Sequence, residues 1–332
     1  MLEEELRAVS TALYNPYQGK QAPACDYEPY VMDLSRRIAE PVPVVRWNGM
    51  IVGSEGNLSA VVGEAKSKKT FLASAVAGGV LSASDYMGFG AQPGRVLWID
   101  TEQADTHVLR VMQRVHRMAG FDLKVNEDRF WTLALRELAP RDRTEVAFAA
   151  IEQLRPRLVV VDGIGDLQNN TNDLEESERI VCDLMRISSQ LSCHILSVLH
   201  TNPNSDKARG HTGSSLQRKA ETVLYVRRAG EVTVVEPQFC RNEPFDRFAF
   251  RIDREGLPVE CDLPQTGPAG EDPCVTLLRD ELGGMAQRAL LTTRLSQQMD
   301  CSVDAVRMRI TRAIRAGRLS LSEDGREVSI PW

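Results

Sequence analysis

The sequence has no pair of cysteines in C-x-x-C spacing. Its seven cysteines are scattered, which argues against a zinc ribbon and a disulfide framework and predicts reduced thiols. No apolar run approaches the ~20 residues that a membrane span needs. The acidic start Met1-Leu2-Glu3-Glu4-Glu5 has no apolar signal-peptide core behind it. The chain is therefore expected in the cytoplasm, without a membrane partner. An overall positive charge is also missing. The formal net charge is −6, so any contact with nucleic acid has to be local. What remains is ordinary globular material. Hydrophobic residues make up 42% and charged residues 26% of 332 residues, a length that predicts about two domains.

The chain is organised around Gly63-Glu64-Ala65-Lys66-Ser67-Lys68-Lys69-Thr70. A short apolar run of strand type, Leu58 to Val62, precedes it. Phe71 to Ala77 follows and reads as the start of a buried helix. Strand, loop and helix in that order form the context of a phosphate-binding loop, in which backbone N–H groups and a helix N-terminus converge on an anion. Lys69 would place its charge on the β- and γ-phosphates, and the Thr70 hydroxyl would bind Mg²⁺. The octapeptide departs from G-x-x-x-x-G-K-T at one place, where Lys68 stands instead of glycine. Lys68 must then adopt a positive φ at some cost, or the loop differs. A lysine-rich surface turn is the competing reading.

Residues 1 to about 14 read as a short helix, and Pro16, Gly19, Pro23 and Pro29 make the following stretch irregular. It is either a solvated tail or an arm docked on a neighbouring subunit. Asn48-Gly49 predicts a hairpin turn between Val44–Trp47 and Met50–Val52. Arg95 to Asp100 reads as a buried strand closed by Thr101-Glu102. Residues 104 to 118 have helical spacing, with Val108, Val111, Met112 and Val115 on one face. Phe130–Leu135 reads as a strand and Glu145–Leu154 as a helix. Leu158-Val159-Val160-Val161-Asp162 is an apolar strand ending in a carboxylate, which suits a Walker B aspartate on the Mg²⁺ shell. A capping aspartate is the alternative. Residues 163 to 177 read as a polar loop, followed by helix to Leu191. His194–Leu199 is the next strand, and His200 at its end is either a γ-phosphate sensor or a satisfied strand-end histidine. Residues 203 to 215 read as a loop carrying Lys207, Arg209 and His211. Leu224–Val226, Val232–Val235 and Phe248–Ile252 complete an α/β, mostly parallel, doubly wound sheet.

These features in this order resemble the RecA-type ATPase core, the branch that includes RecA, DnaB-like hexameric helicases, KaiC and plasmid RepA helicases. The resemblance rests on Gly63–Thr70, Leu97–Glu102, Leu158–Asp162 and Ser197–His200, and spans roughly residues 45 to 255. It implies that Glu102 is the general base on the attacking water. Gln238-Phe239-Cys240-Arg241-Asn242-Glu243-Pro244 resembles the Lys-x-Arg-Asn-Gly-Pro segment of DnaB-type helicases. That implies that Arg241 is an arginine finger for the neighbouring subunit. The lysine of that segment is Phe239 here, so the second trans contact has no counterpart at its position; Lys219 and Arg228 are candidates. By position, the loop from Asn202 to Ser215 matches the family's central DNA-binding loop, with Lys207 and Arg209 on phosphates; a solvated loop is the other reading. More narrowly, Gly56 to Thr70 resembles RepA-like hexameric helicases and mobilisation ATPases of Bacteroides-type plasmids and conjugative elements. The resemblance implies ATP and Mg²⁺ as ligands, single-stranded DNA in the centre of a ring, and a homo-oligomer, expected as a hexamer.

Residues 262 to 273 are a linker by composition. Beyond it, Arg288–Met299 and Ser302–Ala316 read as helices, with Ser302 as N-cap and Gly317 as stop. Leu319–Leu321 and Val328–Ile330 flank a turn at Glu323-Asp324-Gly325-Arg326. Helix, turn, helix and hairpin predict a small winged helix. From Arg288 to Arg326 there are eight arginines, no lysine and four acidic residues. That local excess suits duplex contact through Arg312, Arg315 and Arg326; a protein-docking winged helix is the alternative. The predicted organisation is an N-terminal arm over 1–43, a RecA-like ATPase domain over 44–261, a linker over 262–273 and a winged helix over 274–332. The predicted activity is that of an ATP-hydrolysing, DNA-associated motor. The alternatives are an ATP-switched DNA-binding assembly factor and a regulator whose ATPase core has decayed.

Overall fold

The computed structural model describes residues 30–35, 37–82, 84–202, 208–264, 272–299, 303–315, 317–322 and 324–331; the side chains of residues 304, 305, 312 and 315 lie outside that description. The predicted first helix, the Ser302 cap and Lys207 fall outside the described residues. The chain divides into two units, Met1–Val42 and Pro43–Trp332. In the first, the described residues are exposed, and the Asp33 carboxylate accepts hydrogen bonds from the backbone N–H and hydroxyl of Ser35.

The second unit is built on a nine-stranded sheet of order β12-β11-β10-β9-β3-β8-β7-β5-β6. Its six-stranded parallel part comprises β3 (Leu58–Gly63), β5 (Val96–Asp100), β6 (Phe130–Ala134), β7 (Leu158–Asp162), β8 (His194–His200) and β9 (Thr222–Ala229). Antiparallel strands β10 (Val232–Cys240), β11 (Phe248–Ile252) and β12 (Pro258–Cys261) extend one side. The parallel strands read as unbroken apolar runs because both faces are covered. Successive residues alternate between two cores, as the pleat requires. Val61, Trp98, Val160 and Leu196 pack on one side with α1 (Lys69–Leu81) and α2 (Asp105–Ala119). Val62, Ile99, Val161 and Ile195 pack on the other with α3 (Pro140–Leu154), α4 (Leu174–Leu191) and α5 (Gly210–Lys219). The arrangement is mixed α/β with a large, mostly parallel sheet, and it fits a RecA-like fold.

A separate sheet of order β2-β1-β4 holds β1 (Pro43–Trp47), β2 (Met50–Ser54) and the short β4 (Phe89–Gly90). The Asn48-Gly49 turn has φ of 46° and 87°, the double left-handed geometry of a two-residue hairpin loop. Trp47 stacks on Phe248 at 4.5 Å between centroids, fastening this sheet to β11.

Several boundaries differ from the sequence expectation. The loop expected over 203–215 ends early, because α5 begins at Gly210. The polar loop over 163–177 contains a 3-10 turn at Ile164–Leu167, and α4 starts at Leu174 with Asp173 as N-cap, its carboxylate accepting from Glu176 N. Helix α3 starts at Pro140, five residues before the expected start; proline at N1 is preorganised for a helix. Strands β9 and β10 are longer than expected, and β4 and β12 are additional.

In the C-terminal segment the chain forms α6 (Pro273–Glu281), β13 (Met285–Gln287), α7 (Arg288–Met299), α8 (Val303–Arg315), β14 (Ser320–Leu321) and β15 (Glu327–Ser329). Its sheet order is β13-β15-β14. Helix α6 begins inside the expected linker, with Asp272 as N-cap accepting from Cys274 N at 3.0 Å. The core of this segment draws only on residues between Cys274 and Ile330, with Leu278, Leu291, Leu295 and Ile310 at its centre.

Candidate nucleotide site

Four parallel strands end side by side, and their carboxyl ends carry the polar residues that sequence separates. Gly63 pairs in register with His200, and Asp100 with Asp162. The crevice beyond the carboxyl ends of such strands is the usual ligand position in open α/β sheets. Here it is a cleft of about 480 Å³ lined by Lys66 to Phe71, by Glu102 and Gln103, by Asp162 and Gly163, by Val198 and His200, and by one face of α2.

The loop from Gly63 to Thr70 joins β3 to α1. Glycine is required at 63, since a Cβ there would lie 2.3 Å from Val226 O. Lys68 adopts φ 73°, ψ 25°, and Lys66 has φ 64°. The left-handed position normally given to glycine is thus occupied by lysine, at about 1–2 kcal/mol. The Lys68 ammonium lies 5.1 Å from the Phe71 ring centroid, a contact worth about 0.5–1 kcal/mol that offsets part of this strain, and the Arg114 guanidinium lies 3.7 Å from the same centroid.

The Lys69 ammonium is buried at the loop mouth. It donates to Gly63 O at 3.0 Å and Glu64 O at 2.8 Å, and lies 3.3 Å from His200 Nδ1. Burial lowers its pKa to about 8, with Asp162, Glu102 and Glu64 pulling the other way. A phosphate anion in contact would reverse that shift, since an opposite charge favours the ammonium.

Asp162 is 7% exposed, and burial, followed by the neighbouring Asp100 carboxyl, pushes it up to about 7. Its Oδ2 accepts from Thr70 Oγ1 at 2.9 Å. A hydroxyl and a carboxylate oxygen at this spacing are hard donors, and a buried pair of carboxyls is a place where a divalent cation is stabilising. Among the described residues no cluster of three His, Cys, Asp or Glu side chains forms a protein-only metal site. Magnesium held against phosphates needs only one or two protein oxygens, so Thr70 and Asp162 fit it.

Asp100 does not face the ligand space freely. Its Oδ1 accepts from Glu102 N at 3.1 Å and Gln103 N at 2.8 Å, and its Oδ2 from Gln103 Nε2 at 2.7 Å. Those bonds fold the turn that presents Glu102. Gly163 is pressed against the same turn, where a Cβ would stand 2.8 Å from Glu102 Cγ. The Glu102 Oε1 atom lies 3.6 Å from His200 Nε2, and that imidazole holds the carboxyl below the usual glutamate range. Glu102 is therefore ionised and half-exposed at the cleft mouth, able to accept a proton from water. His200 bridges Lys69 through one nitrogen and Glu102 through the other.

The remaining predicted residues lie elsewhere. Arg209 precedes α5, is exposed, and donates its backbone N–H to His200 O at 2.8 Å. Thr201 and Ala208 form an antiparallel bridge. Arg241 is exposed at the end of β10. There Cys240 pairs with Thr222, and Thr222 with Ser59, which puts Arg241 at the amino ends of the parallel strands. Ser59 and Gly63 are four residues apart on β3, about 13 Å, so Arg241 does not belong to the cleft of its own chain. Its Nη2 donates to Lys219 O at 3.1 Å and its N–H to Glu221 O at 2.8 Å. Arg326 is exposed on the turn before β15, and Arg312 and Arg315 are on α8.

Gln103, His107, Arg110 and Arg114 join the cleft without a signal of their own in the sequence. Gln103 reaches both Asp100 and Asp162, the latter at 3.5 Å. Arg110 and Arg114, with His107 and Val111, line the cleft from α2. These α2 residues share only the i, i+3, i+4, i+7 spacing from His107, which points to the cleft only once α2 is known to face the loop.

A family model described as "AAA domain" matches residues 23–206, more than half of the chain, from before β1 to just beyond His200. No curated protein matches the chain. With the phosphate loop, the Thr70–Asp162 pair and Glu102 inside the matched span, the chain belongs to the AAA-domain family of P-loop ATPases.

Proposed function

We propose that the protein is an ATP-hydrolysing motor that works on DNA as a homo-oligomeric ring, of the RepA-like type that drives replication or mobilisation of plasmids and conjugative elements. The observation that carries the ring is the separation of Arg241 from its own cleft. The phosphate loop, Asp162, Glu102 and His200 gather at the carboxyl ends of the strands, while Arg241 is fixed by two backbone carbonyls at the amino ends. A head-to-tail neighbour would bring its own Arg241 to this cleft, in addition to the Lys69, Arg110 and Arg114 already there. The attachment of Arg209 N to His200 O supports communication between a strand-contacting loop and the site. The C-terminal helices and three-stranded sheet support a winged helix.

In this reading backbone N–H groups of residues 64–70 and Lys69 Nζ hold the β- and γ-phosphates of ATP. Thr70 and Asp162 would hold Mg²⁺, which when bound would supply neutralisation of charge on the phosphate oxygens. Glu102 takes the proton of the attacking water as the bond from γ-phosphorus to the leaving oxygen of ADP breaks. Arg241 of the next subunit stabilises the charge on the transferring phosphoryl group, an effect worth about 10³–10⁵ in rate in other enzymes.

The test is complementation. Arg241→Ala should bind ATP and lose most hydrolysis, and Lys69→Ala should lose ATP binding. Mixing the two inactive proteins should restore part of the turnover, through interfaces that pair an intact Lys69 with an intact Arg241. Normal hydrolysis by assembled Arg241→Ala would refute the trans role. Strand displacement coupled to turnover separates a helicase from an ATP-switched assembly factor.

A further inference from the structure

A second cleft, of about 680 Å³, lies wholly within the C-terminal elements. Three arginines from three elements line it: Arg288 opens α7, Arg307 is on α8, and Arg326 ends the turn before β15. No acidic residue is among the described residues that line it. The surrounding sequence is not simply basic. Residues 274–332 contain nine arginines and seven acids, a balance of +2, in a chain whose total is −6. The cationic lining is thus a matter of placement.

The placement is built. Arg288 N donates to Arg326 O at 2.8 Å, joining the start of α7 to the turn. Arg288 Nη2 donates to Thr311 Oγ1 at 2.9 Å, which lays the guanidinium across α8. The hydroxyls of Thr292 and Thr293, also in the lining, donate back to Arg288 O and Ala289 O at 2.7 and 3.1 Å. The charged donors of the lining are guanidinium forks, whose geometry matches phosphate oxygens. The amino end of α7 adds its positive dipole at the same place. Asp324 is turned onto the turn itself, accepting from Ser322 Oγ at 2.6 Å and Arg326 N at 3.1 Å.

We propose that this groove seats consecutive backbone phosphates of duplex DNA, with Arg288, Arg307 and Arg326 as the contacts. The inference rests on the DNA reading above and replaces two of the arginines that the sequence pointed to. Val303 and Arg307 both line the groove and lie one turn apart on α8. Arg312 and Arg315 follow Arg307 by five and eight residues on α8, about 140° and 80° around the helix axis. Contacts of this kind are blind to sequence and sensitive to salt.

The experiment is fluorescence anisotropy of the full chain with a labelled mixed-sequence duplex, between about 50 and about 200 mM salt. In R288Q/R307Q/R326Q the slope of log affinity against log salt should be shallower by about 2.7, about 0.9 for each phosphate that is no longer neutralised. ATP turnover without DNA should stay unchanged. Each single variant should flatten the slope by about 0.9, which keeps the inference testable if the triple variant does not fold. R312Q/R315Q should keep the wild-type slope. If R312Q/R315Q loses the slope and the groove variants keep it, the groove assignment is overturned while the DNA reading stands. If the wild type hydrolyses ATP and has no salt-dependent duplex affinity, the DNA reading falls and the groove with it.

Discussion

At Glu102 the chain sets an ionised carboxylate between an imidazole and solvent, on a turn that Asp100 holds with three hydrogen bonds. Glu102→Gln keeps the shape and removes proton acceptance. It should bind ATP with near-normal affinity and hydrolyse it about 10²-fold more slowly or worse; single-turnover kinetics with radiolabelled ATP would measure this. A second residue-scale consequence concerns stability. His194 is fully buried at the start of β8, with Nδ1 3.0 Å from Ser54 O, and burial depresses its pKa against a weaker opposing pull from Glu221. The unfolded imidazole titrates near 6.5. Below that pH the unfolded chain binds a proton that the folded chain refuses, so this contribution is complete above about 6.5 and is lost as pH falls. Urea unfolding midpoints should drop from pH 7 toward pH 5, by up to about 1.4 kcal/mol per pH unit from this group. His194→Gln should show a flatter slope, whatever its absolute stability. The residue scale is also where the sequence was most informative. Lys69, Thr70, Asp162, Glu102 and His200 each stand at a strand end or loop that apolar runs mark plainly. Gln103 and Arg114 were not legible, because they act through partners brought close only by the fold.

Among the elements, the parallel strands were readable because a strand covered on both faces is an uninterrupted apolar run. Helix α5 was not, since Gly210, Thr212, Gly213, Ser214 and Ser215 have the composition of a loop. Tertiary packing decides otherwise: Leu216 is fully buried, and Thr212 donates to Gln168 Oε1 at 2.7 Å. Helix α6 was hidden in the same way by the proline-rich stretch before it. Its residues Cys274, Leu277 and Leu278 belong to the C-terminal core and to neither core flanking the large sheet. Removal of residues 265–332 therefore takes no buried side chain from the nucleotide-binding core. The shortened chain should unfold cooperatively in calorimetry and retain Glu102-dependent turnover. Aggregation or loss of nucleotide binding on truncation would mean that the C-terminal segment completes the larger core.

For the whole molecule, sequence order concealed the opposition of the two ends of the sheet. Arg241 could be matched to a motif, but the register Cys240–Thr222–Ser59 is what sends it away from Gly63. That anchorage also governs how the arginine can move. Its side chain and its backbone are both tied, to Lys219 O and Glu221 O, and the Glu221 carboxylate is in turn gripped by Ser54 and Asn242. Arg241 is thus not a tethered arm that can search for a phosphate; it travels with the sheet as a pin travels with the plate it is set in. In the proposed ring, a small rotation of one subunit against the next would carry the guanidinium into or out of register with the neighbour's γ-phosphate by the full displacement of the interface. Firing would then be timed by the angle between subunits, and loosening the pin, as Asn242→Ala or Glu221→Gln would, should blur that timing before it abolishes hydrolysis.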